Sequence, residues 1–347
     1  MRRNGISVLL ILVLVSSLMT GCASKEMPAE SLKANTKIKI GFSFDTFVIP
    51  RWQRDREVFV AKAKELGAEV DVQNANGNVD TQVEQIQYFI EEGVDVIAVV
   101  PIKSESLKNV AIEAKKAGIP VISYDRLMTD CNVNLYVSFD NEEVGTLMGE
   151  TLLKRVQSGN KVLMLCGPLE DANVSQVERG FVRVMEKHQI EILDKAYMSE
   201  WNADHVTEYI EANLDKVEQV QAIMCGNDAL AGQAITTLSE HQLLDKIAVI
   251  GQDADLDACQ RIVEDIQYMT VYKPVDQLAE KAAQAAVQLA KGEKLKTEEN
   301  MLDGTYQIPY IRLTPLAVVK ENMNATVIDG GFHTKEDVYL NRPELIQ

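Results

Sequence analysis

Three polar residues in the second half of the chain, Asn227, Asp253 and Lys273, each follow a short apolar run within three positions. A carboxylate accepts hydrogen bonds, an ammonium donates them and an amide does both. Together these side chains could bind a small ligand that carries several hydroxyl groups. The apolar runs are 223–225, 247–250 and 269–272.

Each apolar run is typical of a buried strand, and the amphipathic segments between the runs are typical of helices. Strands and helices that alternate in this way predict a parallel α/β sheet, in which ligands bind beyond the carboxyl ends of the strands. We therefore expect the three polar side chains to enter one crevice. The competing interpretation is that Asn and Asp at such turns only cap the helices that follow.

Further residues of suitable type occur at other predicted strand ends or in the loops after them, and these are Arg51, Trp52, Asp125, Arg126, Asn173 and Trp201. Sugar hydroxyls donate and accept hydrogen bonds, so carboxylates beside Arg, Lys and Asn side chains suit them. The C–H faces of a sugar ring suit flat aromatic surfaces. The combined set of polar and aromatic residues predicts a polyol site, with the ring held between Trp52 and Trp201.

The same residues also have purely structural interpretations. Trp52 could be buried against the sheet, and Asn173 could cap a helix. Asp125 and Arg126 could form a surface ion pair. The charged residues that follow Trp52 are expected only as surface charges of a helix, and these are Arg54, Asp55 and Arg56.

Two similar halves of alternating strands and helices make up most of the chain. The chain has 347 residues, more than a single core usually contains. We therefore predict the α/β class, with two similar parallel-sheet domains and a ligand cleft between them. Predicted strands are 37–44, 69–73, 95–100, 120–124 and 134–139 in the first half, and 161–166, 191–198, 221–225 and 247–250 in the second.

A helix predicted at 274–290 follows the second half and should return to pack on the first domain. A late strand at 310–313 and Pro315 then indicate another crossing. Several crossings form a hinge, about which two domains can close on a ligand. The predicted N-terminal lobe comprises 37–139 plus about 275–312, and the C-terminal lobe comprises 140–274 plus about 313–347.

The N-terminus has the features of a secretory signal. Two arginines precede an apolar run at 6–18, and Thr20 and Gly21 stand directly before Cys22. This arrangement resembles the lipobox of bacterial lipoproteins, in which the cysteine is acylated after cleavage. We therefore expect removal of residues 1–21, a lipid on Cys22 and a tether at 22–36. The alternatives are an uncleaved membrane anchor and an ordinary cleaved signal.

Composition argues against several other functions. The formal net charge is −17 and no basic stripe is present, so nucleic acid is not an expected partner. The histidines lie far apart and no CxxC pair occurs, so neither a metal nor a cofactor is predicted. Buried free thiols are expected at the cysteines after the signal, and these are Cys131, Cys166, Cys225 and Cys259.

Seven stretches carry a family resemblance, and they are IPRWQRDREVFV, NANGNVDTQ, YDRL, SFDNEEVG, GNDALAG, GQDADL and MTVYKP. They occur in order between Lys37 and Phe332. The chain resembles the type I periplasmic sugar-binding family, and within it the D-xylose-binding proteins of bacterial ABC importers. The resemblance implies that Trp52 and Trp201 stack on the sugar. It also implies hydrogen bonds to the sugar from Arg51, Asp125, Arg126, Asn173, Asn227, Asp253 and Lys273.

The implied function is that of a lipid-anchored protein on the extracytoplasmic face of the bacterial cell membrane. Such a protein would capture D-xylose or a similar monosaccharide and deliver it to an ABC permease. The alternative partner is the extracellular domain of a sensor histidine kinase, for which the sugar is a signal. A third hypothesis is a glycosidase with Asp125 and Asp253 as its carboxylate pair. Cations beside both carboxylates would keep them ionised and unable to donate a proton, so we do not predict an enzyme.

Overall fold

Residues 37–49 and 51–346 are described by the structure, a computed structural model. The predicted signal peptide, Cys22 and the tether lie outside the described residues. In the described part of the chain, no helix is both long enough and apolar enough to cross a membrane.

The strands alternate with helices along most of the chain, as predicted. The strands are β1 (Ile38–Phe44), β2 (Ala68–Asn74), β3 (Val96–Val99), β4 (Val121–Tyr124), β5 (Leu135–Phe139), β6 (Lys161–Cys166), β7 (Glu191–Tyr197), β8 (Ala222–Cys225), β9 (Ala248–Ile250), β10 (Thr270–Tyr272), β11 (Glu299–Leu302), β12 (Gln307–Leu313) and β13 (Leu316–Val318). The helices are α1 (Arg51–Glu65), α2 (Val79–Glu91), α3 (Lys108–Lys116), α4 (Asn141–Leu152), α5 (Ala172–Lys187), α6 (Asp204–Ala212), α7 (Leu214–Val217), α8 (Asp228–Glu240), α9 (Leu256–Val263), α10 (Val275–Ala290) and α11 (Lys335–Val338).

A seven-stranded sheet in the order β11-β12-β5-β4-β3-β1-β2 forms the lobe that we call the N-lobe. All neighbouring strands in it are parallel except β11, which runs antiparallel to β12 at one edge. The four-stranded parallel sheet β7-β6-β8-β9 forms the C-lobe. The predicted fold class, two parallel-sheet α/β lobes, is confirmed.

Both sheets are covered by helices on both faces, because their short strands are buried on both sides. The apolar faces of α1 and α10 share one core with β1 and β4, whereas α2 and α3 cover the opposite face of that sheet. In the C-lobe, α4 and α5 cover one face, and α6 and α8 cover the other. The cysteines at 131, 166, 225 and 259 are buried free thiols, as predicted.

The described chain passes between the two lobes more than once. It leaves the N-lobe sheet after β5, and α10 returns to pack on α1, as predicted. Strands β11 and β12 then join the N-lobe sheet, and β13 pairs antiparallel with β10. The division into 37–139 plus 275–312 and 140–274 plus 313–347 stays a proposal, and this strand order is consistent with it.

Some elements differ from the sequence-based expectation. Helix α3 begins at Lys108 rather than at Ser104, and the backbone and side chain of Ser104 instead contact the C-lobe. The edge strand β11 was not predicted, whereas α9 lies between the apolar runs 247–250 and 269–272, where a helix was expected. The pattern of β11 is weak because it alternates between half-buried and exposed positions.

Candidate functional site

The carboxyl ends of strands from both sheets surround one cavity. Strands β1 and β3 are neighbours in the N-lobe, and β6 and β8 are neighbours in the C-lobe, at the points where each strand order reverses. Such reversal points are where α/β sheets bind ligands. The structure places all nine predicted residues in the lining of this cavity, namely Arg51, Trp52, Asp125, Arg126, Asn173, Trp201, Asn227, Asp253 and Lys273. Their role in binding a ligand stays a prediction.

Arg51, the first residue of α1, is buried between two carboxylates. Its Nη2 donates to Asp125 Oδ2 at 2.8 Å, and Nε and Nη2 lie 3.4 and 3.3 Å from the oxygens of Asp55. The Tyr124 hydroxyl also donates to Asp55, at 2.5 Å. The expectation that Asp55 is a surface charge is therefore wrong. Asp55 has 0% exposure because it lies on the face of α1 that packs on the sheet, and it fixes the Arg51 guanidinium from behind.

The two carboxylates beside Arg51 have opposite pKa shifts. Burial raises the pKa of Asp55 to about 6, although Arg51 and the Tyr124 hydroxyl act to lower it. Burial also acts to raise the pKa of Asp125, but Arg51, Lys273 and Arg126 together outweigh it and lower that pKa. Asp125 is therefore ionised at neutral pH, and an ionised carboxylate only accepts hydrogen bonds.

Arg126 bridges the two lobes. Its Nη1 donates to Asp45 Oδ2 at 2.5 Å, directly after β1, and its Nε lies 2.7 Å from Asp171 Oδ2, directly before α5. All three side chains are at most 6% exposed. The alternative of a surface ion pair between Asp125 and Arg126 is wrong, because both residues are buried and Asp125 pairs with Arg51 instead.

Trp52 lines the cavity, as predicted, and it is also buried against the sheet, as in its structural interpretation. The side chain is buried and packs edge-on against Phe44 of β1, with ring centroids 6.3 Å apart. The guanidinium carbons of Arg51 and Arg126 lie 4.4 and 5.6 Å from the centre of its ring. These cations stabilise the ring position through its negative face, so the indole lines the cavity as a fixed surface.

Asp253 and Lys273 form a buried ion pair in the cavity. Lys273 Nζ lies 2.6 Å from Asp253 Oδ1, and both side chains are at most 10% exposed. Apart from this ion pair, Oδ1 has no hydrogen-bond partner among the described residues, so it has capacity to accept a hydrogen bond from a ligand. Asp253 has a φ of 106°, a value that non-glycine residues rarely adopt. Backbone strain of this type is concentrated at ligand sites.

Asn227 caps the helix that follows it, whereas Asn173 does not. Asn227 does cap α8, because its Oδ1 accepts from Leu230 N at 2.9 Å, while the same residue lines the cavity. Asn173 does not cap α5. The cap is Asp171, whose Oδ1 accepts from Asn173 N. The Asn173 side chain instead donates Nδ2 to the Asp125 carbonyl and carboxylate oxygens, both at 3.2 Å.

Trp201 lies against the ends of β6 and β8, where two glycines leave room for it. A Cβ atom on Gly167 would lie 2.3 Å from the indole Cη2, and one on Gly226 would lie 3.1 Å from Cζ3. Trp201 itself has a φ of 57° in a short 3-10 turn. The two tryptophans therefore line the cavity from opposite lobes, as predicted.

Several lining or supporting residues were missed by the sequence analysis, and they are Asp45, Asn141, Asp171, Glu178 and Gln252. Asp45 directly follows a predicted strand, so the strand-end rule could have included it. Asp171 lies two positions before Asn173 in a loop without a regular pattern. Asp45 and Asp171 are buried because both pair with the Arg126 guanidinium, and this arrangement depends on contacts between distant parts of the chain.

The chain matches known proteins over most of its length. A family described as periplasmic binding protein domain matches residues 40–294. The D-xylose-binding periplasmic protein of Haemophilus influenzae is 42% identical over 315 residues, which are 89% of this chain and 95% of the relative. The protein of the same description from Escherichia coli is 39% identical over 329 residues, which are 92% of this chain and 98% of the relative.

Solved structures agree on the fold. A carbohydrate transporter solute binding protein from Chloroflexus aurantiacus, in complex with D-glucose, superposes with a TM-score of 0.80 at 24% identity. The superposition covers 87% of this chain and 98% of that protein. The chain therefore belongs to the periplasmic binding protein family, in the same group as the D-xylose-binding periplasmic proteins.

Proposed function

We propose that this protein captures D-xylose in the cavity between its lobes and delivers it to the permease of an ABC importer. The observation that carries the proposal is the mixed origin of the cavity lining. Arg51, Trp52 and Asp125 come from the N-lobe, whereas Trp201 and Asp253 come from the C-lobe. A sugar that contacts both sets gains its full binding energy only when the lobes are closed. That difference in affinity is what shifts the population to the closed form.

The chemistry of the lining suits a neutral polyol. The carboxylates of Asp125 and Asp253 accept hydrogen bonds from hydroxyls, and Arg51, Arg126 and Lys273 donate to them. The indoles of the two lobes offer flat surfaces for the C–H faces of the ring. The close relatives described as D-xylose-binding periplasmic proteins support xylose as the sugar.

Calorimetric titration of the purified protein should show xylose binding far more tightly than ribose or glucose. We expect a Kd of about 1 µM or lower for xylose, which corresponds to about −8 kcal/mol. Glucose carries an extra hydroxymethyl group that the cavity walls must exclude. Heat with another monosaccharide and none with xylose would contradict the proposed ligand.

A sensor function is the alternative within the same proposal, because a closed sugar-bound form can also dock on the extracellular domain of a histidine kinase. Deletion of the gene separates the two. Loss of xylose uptake with intact xylose-induced transcription supports transport. Loss of the transcriptional response, with uptake intact when the importer is expressed constitutively, supports the sensor. We do not propose catalysis, since Asp125 is held ionised and cannot act as an acid.

The membrane anchor is a further part of the proposal and rests on the sequence before Cys22. Replacing Cys22 with serine should release the protein from membranes without changing its affinity for xylose, because the described residues that line the cavity all lie between Ile49 and Lys273. Fractionation of cells into membrane and soluble material measures the release. Unchanged membrane association of the Cys22→Ser protein would favour an uncleaved apolar anchor instead.

A further inference from the structure

The beginning of α5 makes a set of direct contacts with the N-lobe across the cleft. The Glu170 carbonyl accepts from Ser104 N at 3.2 Å, and Ala172 N donates to Ser104 Oγ at 3.2 Å. Asp171 pairs with Arg126, and Asn173 donates to Asp125. Four consecutive residues of the C-lobe, 170–173, therefore bind the N-lobe. We call this set of contacts the latch.

Ser104 completes the cap of a helix that belongs to the other lobe. The first N–H groups of a helix have no partner within the helix and need one from elsewhere. In α5, Asp171 Oδ1 accepts from Asn173 N, whereas the Ala172 N–H is satisfied by Ser104 Oγ. Opening of the cleft would separate these groups, and the Ala172 N–H would then have to donate its hydrogen bond to water.

Ser104 belongs firmly to the N-lobe. It lies in the loop after β3, its carbonyl accepts from Thr129 N at 2.8 Å, and it is only 7% exposed. Among the described residues, those that line the cavity do not include Ser104. Its hydroxyl is therefore placed to act on closure and not on the ligand.

We propose that Ser104 is a positioning residue for ligand retention, because it caps α5 from the opposite lobe only when the cleft is closed. This inference rests on the proposed sugar-binding function and deepens it. The hydrogen bond stabilises the closed form independently of the sugar. Release of the sugar requires the lobes to separate, so the contact slows release. Capture begins from the open form, in which Ser104 and Ala172 are apart, so the association rate does not depend on it.

Replacing Ser104 with alanine tests this role, because the change removes only Oγ and leaves both backbone hydrogen bonds of Ser104 in place. Stopped-flow fluorescence of the two cavity tryptophans should show a dissociation rate for xylose about 3- to 10-fold faster than in the wild type, the effect of one lost hydrogen bond. The association rate should stay within about twofold of the wild type. A general structural defect would not raise the dissociation rate while leaving the association rate unchanged.

Ser106→Ala provides the matched control. Ser106 lies in the same loop, and its hydroxyl donates to Lys103 O within the N-lobe. This variant should keep both wild-type rates. Equal dissociation rates for the Ser104→Ala and Ser106→Ala proteins would overturn the proposal.

Two measurements separate failure of the latch from failure of the proposed function. Hydrogen exchange of the Ala172 amide, followed by NMR, should be severalfold faster in xylose-saturated Ser104→Ala protein than in xylose-saturated Ser106→Ala protein, because this amide meets Ser104 Oγ only in the closed form. Unchanged exchange in a protein that binds xylose would refute the latch. Calorimetric titration of the wild type tests the ligand separately, and absence of xylose binding there would refute the proposed function on which the latch rests.

Discussion

Replacing Asp253 with alanine should weaken xylose binding by about tenfold to a hundredfold or more, since a hydrogen bond to a charged group contributes roughly 1.5 to 3 kcal/mol. The loss has a second cause. Lys273 is 8% exposed and pairs with Asp253 at 2.6 Å, so the variant leaves a buried ammonium without this partner. Removing one member of a buried pair is costly for that reason. Calorimetric titration with xylose measures the change.

Asp257→Ala is the matched control for Asp253→Ala. Asp257 lies four positions further along the chain, its carboxylate is 65% exposed and it pairs with Arg261 outside the cavity. Its removal also deletes one carboxylate, but affinity for xylose should stay within about twofold, because exposed pairs contribute little. If the Asp253→Ala protein bound xylose as tightly as the wild type, Asp253 would not be a ligand residue.

Replacing Gly145 with alanine should destabilise the protein by about 3 kcal/mol, the upper end of the usual cost of overpacking. Gly145 of α4 faces α5, and a Cβ atom there would lie 1.9 Å from the Val177 carbonyl oxygen. The contact is reciprocal, because a Cβ atom on Gly180 of α5 would lie 1.9 Å from the Glu142 carbonyl oxygen. Backbone atoms cannot move aside as a flexible side chain can, so the two helices would have to separate. Chemical denaturation measures the loss.

Gly232→Ala tests whether the effect comes from the close approach or from glycine itself. Gly232 is also helical, in α8, but the nearest obstacle to a Cβ atom is the Arg261 guanidinium at 3.0 Å. That group can move, and alanine favours a helix over glycine by about 0.8 to 1 kcal/mol. We expect stability equal to the wild type or slightly higher. A Gly145→Ala protein as stable as the Gly232→Ala protein would contradict the tight packing of α4 on α5.

The sequence placed most of the cavity lining because one rule covers most of these positions, whereas the role of these residues in binding a ligand stays a prediction. Residues after the apolar runs had to lie at the carboxyl ends of parallel strands, and those ends meet at one edge of each sheet. Asn227, Asp253 and Lys273 were found in this way, and the same rule supported Asp125. The alternation of strands and helices was sufficient to predict both lobes.

The remaining features depend on contacts between distant segments. No local pattern indicates that Asp45 and Asp171 share the Arg126 guanidinium, since they lie 126 positions apart and in different lobes. Asp55 was misjudged because a charged residue in a charged stretch is usually exposed. The late start of α3 also depends on a distant segment, because Ser104 hydrogen-bonds with the C-lobe instead of joining the helix.

The ion pairs around the cavity determine which charges a ligand can carry. Arg51 is matched by Asp125 and Asp55, Arg126 by Asp45 and Asp171, and Lys273 by Asp253. Each of these cations is therefore already neutralised by the protein. A sugar phosphate or a sugar acid would bring a negative charge into a desolvated space where the described residues offer it no unpaired cation, and the nearby carboxylates would repel it. An uncharged sugar meets no such penalty. The paired charges of the cavity would therefore select against sugar phosphates and sugar acids, in addition to any selection by the shape of the cavity.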